Sequence, residues 1–190
     1  MTSARLSPQG DRLLVGGHYG FAVDTNTNIN INPVFMYLPA LACNARAAYS
    51  EDGALVATSE PRLFSASDFA PIWTAAGTSD AGDGDFLDDV QFRPNASELL
   101  VSHVGSSSHV HALYSLTDGS LLRAVPELQG SRAKFSPEGN WVVSGATLLH
   151  LPDGEQRAFD PQSVLATFAP NGDIVALLAD GSLTRYCRAP

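Results

Sequence analysis

Two neighbouring stretches of this chain concentrate the residue types that do chemistry. Ser79–Asp89 carries five carboxylates, Asp80, Asp83, Asp85, Asp88 and Asp89, interspersed with glycines. His103–His111 carries three imidazoles, and His109 and His111 would point the same way from a strand. Oxygen-rich Asp/Gly loops suit calcium, whereas His combined with Asp suits zinc or another transition metal. Asp83, Asp85, Asp88, His109 and His111 are therefore the candidate metal ligands. The aspartates do not follow EF-hand spacing, which needs an Asp-x-Asp-x-Asp-Gly run with a distal Glu. The competing reading is a solvated acidic loop beside ordinary surface histidines.

Other chemistries find less support. No Ser/His/Asp order with a nucleophile elbow is visible, and no Gly-rich phosphate loop occurs. A net charge of −9 and a pI near 4.8 repel phosphate backbones, which disfavours nucleic acid as a partner. No stretch approaches the ~20 apolar residues of a membrane span. The N-terminus lacks a signal peptide's charged and apolar regions, so the expected compartment is the cytoplasm, with no membrane partner. Cys43 and Cys187 are too few for a disulfide framework and are expected to be free thiols. Asn95-Ala96-Ser97 matches a glycosylation sequon, read as coincidence in the absence of a secretory signal.

The elements that would carry these residues come from an internal repeat. Ala4–Gly10, Ala47–Gly53, Val90–Ala96, Ala133–Gly139 and Ala166–Gly172 align, their last residues separated by 43, 43, 43 and 33 positions. Small apolar residues alternate with bulky ones (Leu6, Tyr49, Phe92, Phe135, Phe168), which predicts a strand with one face in a core. The Pro/polar/Gly tetrad that follows is turn chemistry. Second strands are expected at Leu13-Leu14-Val15, Leu55-Val56-Ala57, Leu99-Leu100-Val101, Trp141-Val142-Val143 and Ile174-Val175-Ala176. Third strands are expected at Gly20–Asp24, Leu63–Asp68, Val110–Leu116, Leu148–Leu151 and Leu183–Tyr186, with Asp-Gly turns after two of them at Asp118-Gly119 and Asp153-Gly154. Fourth strands are expected near Val34–Leu38, Ile72–Thr74, Leu121–Val125 and Gln156–Phe159.

These residues resemble the WD40-like propeller repeats, whose inner strand reads apolar-x-Phe-Ser-Pro-Asp-Gly, then an apolar run, then Asp-Gly-Ser/Thr. Ala133–Gly139 and Ala166–Gly172 carry the first part, and Asp180–Tyr186 carries the second. The Trp-Asp dipeptide is absent, with Val23-Asp24 and Ser67-Asp68 in its place. The Gly-His pair is also missing, so that family's buried Asp/His hydrogen-bond network is not expected. The resemblance implies an all-β fold, a β-propeller of about five four-stranded blades with the last incomplete, as one domain over residues 1–190. The blades would span 4–43, 44–87, 88–130, 131–163 and 164–190. A fifth blade without its outer strand leaves three readings: part of a larger propeller, an open one that a partner completes, or a tight five-blade ring with one bare edge, of which incompleteness is favoured.

This architecture hosts many unrelated activities, so the site must decide the function. The polar inner-strand positions are Arg5, Gln91, Lys134 and Thr167, with Ala48 between, and they contain no carboxylate pair. The expectation is a non-catalytic protein–protein interaction scaffold with no cofactor, its anchors drawn from Tyr19, Phe35, Tyr37, Arg62 and Trp73. The alternatives are a calcium- or zinc-dependent or carbohydrate-directed enzyme using the acidic loop, and a sensing portion of a larger signalling protein. Asn26, Asn28, Asn30 and Asn32 alternate on one side of an extended or loop segment.

Overall fold

The computed structural model describes residues 3–16, 21–24, 35–37, 46–75, 86–104, 109–128, 130 and 132–187. They form five antiparallel sheets, each a meander in chain order. The first holds β1 (Ser3–Leu6), β2 (Arg12–Gly16), β3 (Phe21–Asp24) and β4 (Phe35–Tyr37). The second holds β5 (Ala47–Tyr49), β6 (Leu55–Thr58), β7 (Arg62–Ser65) and β8 (Pro71–Thr74). The third holds β9 (Phe86–Phe92), β10 (Glu98–Val104), β11 (His109–Ser115) and β12 (Leu121–Ala124). The fourth holds β13 (Ala133–Phe135), β14 (Trp141–Ser144), β15 (Thr147–His150) and β16 (Gln156–Ala158). The fifth has three strands, β17 (Ser163–Phe168), β18 (Ile174–Leu178) and β19 (Leu183–Tyr186). The chain is all-β among the described residues, and none of its segments is a helix long and apolar enough to cross a membrane.

The first hairpin of each sheet shows why the repeat reads as it does. Ser7, Ser50 and Ser136 are buried, and their hydroxyls accept the N–H groups of Arg12, Leu55 and Trp141 at 3.0, 2.9 and 3.1 Å. Gly10, Gly53 and Gly139 follow with φ of 75°, 73° and 78°, a left-handed conformation that side chains disfavour. The third hairpin lacks that glycine, and there Asn95 takes the positive φ of 57°. Ala96 still donates its N–H to Arg93 as the glycines do to their serines.

Pairing sets the register of the second strands. Leu13, Val56, Leu99, Val142 and Ile174 stand opposite Leu6, Tyr49, Phe92, Phe135 and Phe168. Val56 and Val142, the middle residues of their apolar runs, therefore match Leu99 and Ile174, the first of theirs. The fifth hairpin is one residue shorter, closing from the Ala169 N–H to the Asp173 carbonyl.

The second strands are apolar without interruption because both of their faces are buried. Val56 packs toward the first sheet with Leu14 and Phe64, while its neighbour Ala57 packs toward the third with Val90 and Leu99. Leu100 meets Val142 and Phe135 of the fourth sheet, and Val143 meets Ala166 and Ile174 of the fifth. The first strands lie side by side in the same sequence, β1 by β5, β5 by β9, β9 by β13 and β13 by β17. No comparable packing joins β17 to β1 among the described residues.

Side-chain donors fasten three of these junctions at one recurring acceptor. The carbonyls of Ala66, Leu116 and Leu151 each lie two residues past the third-strand residue facing Val56, Leu99 or Val142. They accept from Arg12, from Trp73 Nε1 at 2.9 Å and from Arg123 Nη1 at 3.3 Å.

The strand expected over Leu63–Asp68 stops at Ser65 instead. Asp68 accepts the Ala70 N–H, just as Asp118 accepts Ser120 and Asp153 accepts Glu155. Phe69, at φ 56°, occupies the place of Gly119 and Gly154 in the other two turns. Its ring is buried against Val56 and Phe64, so burial offsets an unfavourable backbone.

Candidate functional site

The acidic stretch expected as a loop is strand from Phe86 onward, which places Asp88 and Asp89 in β9. The ladder continues because of a bulge: Asp89 faces Ser102 and Leu87 faces His103, leaving Asp88 as the extra residue. Asp83 and Asp85 lie outside the described residues, as do Tyr19 and Cys43. His109 opens β11 opposite Val104, and His111 stands opposite Ser102. His103 faces Val110 and so belongs to the other set of alternating positions. Among the described residues, no three of His, Cys, Asp and Glu gather as a metal site.

What the third sheet does bring together is a buried polar row across three strands, Asp89, Ser102 and His111. The His111 ring is wholly enclosed. Its Nε2 lies 3.0 Å from the Gly130 carbonyl, which can only accept, so Nε2 carries the proton. Nδ1 is hydrogen-bonded to the Ser102 hydroxyl at 2.9 Å, and the Ser144 hydroxyl lies 3.5 Å from Nε2. The Asp89 carboxylate is paired with the Lys134 ammonium and accepts from Gln91 at 3.4 Å. Gln91 also donates to the Ala133 carbonyl.

This row contains the residue types of a hydrolytic triad without its wiring. A triad needs the acid on the histidine and a nucleophile open to substrate. Here Ser102 is buried and Asp89 serves the next sheet through Lys134. The row's bonds to Gly130, Ser144 and Lys134 tie the third sheet to the fourth and its approach. The described bonds of His111 run to hydroxyls and a main-chain carbonyl, while Asp89 is bonded to Lys134 and Gln91. The Asp89–Lys134 pair escaped sequence reading because its partners are 45 positions apart, and Ser102 because its bond to His111 depends on the pairing of β10 with β11. The signal that points to them is strand parity, which puts Asp89 and Gln91 on one face.

Two openings lie beside the first strands. Arg5, Ala48, Gln91 and Lys134, one from each of four sheets, share a cleft of ≈ 360 Å³ with Tyr49 and Glu51. A broader groove of ≈ 790 Å³ runs between the second and third sheets. Its lining includes exposed Glu51, Asp52 and Asn95 and half-buried Leu55 and Phe92. Tyr49 borders both openings, and its hydroxyl is buried without a hydrogen-bond partner. Burial raises its pKa, against the pull of the Arg12 guanidinium. The Asp52 carboxyl is held below the usual aspartate range by the Ser50 hydroxyl and the Ala54 N–H.

Of the residues expected as partner anchors, Trp73 is partly buried and bonded within the chain. Arg62 pairs with Glu60 at 3.2 Å. Phe35 and Tyr37 form the two ends of β4. No protein-family model matches the chain, and no curated protein matches it.

Proposed function

We propose that this chain is a non-catalytic scaffold for protein partners, a WD40-like propeller segment in which the five sheets are the blades. The repeated hairpin, the side-by-side first strands and the recurring junction carbonyl support the propeller reading. One observation carries the functional half. Four described groups with catalytic potential, His111, Ser102, Asp89 and Lys134, are engaged in bonds within the third sheet and from it to the fourth. The groove between the second and third sheets instead offers exposed Glu51, Asp52 and Asn95 around apolar Leu55 and Phe92. An apolar floor within a polar rim is the usual anatomy of a protein-binding patch. Its partner would be a protein with a basic, amide-accepting rim and an apolar anchor.

The test is affinity purification from the source organism with the tagged chain, followed by cross-linking mass spectrometry. A protein recovered near stoichiometry and cross-linked beside the groove is expected. Glu51→Lys combined with Asn95→Gly should cut its recovery at least tenfold, since like charge at a rim opposes association and glycine removes the rim amide without straining the positive φ. Recovery of no partner, or recovery indifferent to both changes, rejects the reading.

A further inference from the structure

Two junctions are bridged from one first hairpin to the next by a side-chain donor. Gln9, in the hairpin of the first sheet, donates to the Asp52 carbonyl of the second at 2.8 Å. The approach is close, since a Cβ on Gly53 would collide with the Gln9 side chain. Arg93, in the hairpin of the third sheet, donates from Nε to the Gly139 carbonyl of the fourth at 2.7 Å, and its Nη1 pairs with Glu98 at 2.7 Å. There a Cβ on Gly139 would sit 2.5 Å from the Pro94 carbonyl. Both junctions are shut at their hairpins.

Among the described residues, the second hairpin sends no such donor to the third. The Ser50 hydroxyl serves its own turn, lying 2.6 Å from the Asp52 carboxylate and accepting the Leu55 N–H at 2.9 Å. Glu51 and Asp52 come next, and an ionised carboxylate only accepts. The turn bonds from Gly53 to Ser50 and from Ala96 to Arg93 align the two hairpins. Asn95 and Ala96 thus hold the places of Asp52 and Gly139, whose carbonyls are the acceptors elsewhere. Here the groove of ≈ 790 Å³ opens, with Glu51 on one side, Asn95 and Ala96 on the other, and Leu55 and Phe92 half-buried between them.

We infer that this groove takes an arginine side chain of the protein partner, seated between the second and third hairpins as Arg93 is seated between the third and fourth. The inference rests on the scaffold reading above and names the group that the groove recognises. A guanidinium presents its donors as a planar fork, so it can meet a carboxylate and a hairpin carbonyl at once. Arg93 does so with Glu98 and Gly139. Leu55 and Phe92 would carry the aliphatic stem. A lysine ammonium is a more strongly hydrated point charge and lacks the fork. The charge also fits: Glu51 is exposed with no ion-pair partner among the described residues, exposed Asp52 stands beside it, and the chain carries a net −9. Arg93, the cation nearest the groove, is already engaged with Glu98 and Gly139.

The experiment is selection from a random peptide library displayed on phage against the 190-residue chain, after clearing the library on the Glu51→Lys, Asn95→Gly variant. The recovered peptides should carry an arginine beside an apolar residue. Calorimetry on their synthetic forms should show affinity falling about tenfold when that arginine becomes lysine, and about tenfold with Glu51→Gln in the chain. The two changes together should cost little more than either alone, because both break one contact. Glu51 lies exposed in a turn, so circular dichroism should show Glu51→Gln folded. Peptides without arginine, lysine forms that bind equally, additive losses, or a library with no binder that spares the variant each overturn the inference. A cellular partner captured through the groove without an arginine in the contact overturns this inference alone. Capture of no partner overturns the scaffold reading, whatever the peptides show.

Discussion

The indole Nε1–H of Trp73 donates to the main-chain carbonyl of Leu116 across 2.9 Å, linking the outer strand of the second sheet to the third. The ring lies against the Asp118-Gly119 turn so closely that a Cβ on Gly119 would sit 2.6 Å from it. Gly119 also holds φ 74°, so both its backbone and its surroundings exclude a side chain. Trp73, one of the residues expected to anchor a partner, fastens two sheets within the chain.

Trp73→Phe should keep much of the ring contact but lose the hydrogen bond, costing about 1 kcal/mol. Trp73→Ala should cost about 3 kcal/mol, the low end for a large aromatic, because the side chain is only partly buried. Urea unfolding followed by far-ultraviolet circular dichroism gives both numbers. Unchanged stability with lost partner capture would return Trp73 to the role of anchor.

Strand parity was the most legible property of the sequence, because a two-residue period is set by the pleat and needs no knowledge of distant partners. Leu6, Tyr49, Phe92, Phe135 and Phe168 could therefore be aligned by inspection, and the strands were found near their expected places. Misreadings arose where tertiary contacts decide. Asp68 looks like the end of a strand, but the Ser65–Ala70 segment closes into a turn whose positive φ falls on a phenylalanine held by burial. Asp88 and Asp89 look like loop residues because carboxylates rarely enter strands, yet Asp89 has Lys134 as its partner from the next sheet. The candidate site suffered most, since His111, Gly130 and Ser144 converge only when two sheets pack.

The third hairpin separates the logic of alignment from that of conformation. Alignment puts Ala96 in the place of Gly10 and Gly53, which invites Ala96→Gly as a stabilising change. The left-handed residue is instead Asn95, at φ 57°. Asn95→Gly should leave stability unchanged or raise it by up to about 1 kcal/mol, whereas Asn95→Ala should lower it by about 1 kcal/mol. Ala96→Gly should also destabilise, by roughly 0.5 kcal/mol, because it only adds freedom to the unfolded chain. Thermal unfolding of the three variants checks the order, and a gain from Ala96→Gly would contradict it.

Acid should loosen the hairpins before it reaches the junction cores. Asp52, Asp68, Asp118, Asp153 and Asp180 all bind protons more weakly than an ordinary aspartate. For Asp118 and Asp153 the largest cause is a main-chain N–H donated within the turn, and for Asp52, Asp68 and Asp180 it is a serine hydroxyl. A depressed folded pKa means the unfolded chain takes up protons first as pH falls. The contribution of each carboxylate is thus complete above the usual aspartate range, about pH 4, and drains away as pH drops through the lower folded values. All five are exposed, so each contribution is small and the effect lies in their number. The urea midpoint should hold steady from pH 7 to about pH 5 and then fall toward pH 3, within the window set by those carboxylates. Asp118→Asn removes one titrating group while leaving an acceptor oxygen for the Ser120 N–H, so its acid-induced loss should be shallower than that of the wild type. Equal midpoints at neutral and acid pH would mean that these turn bonds form as readily in the unfolded chain.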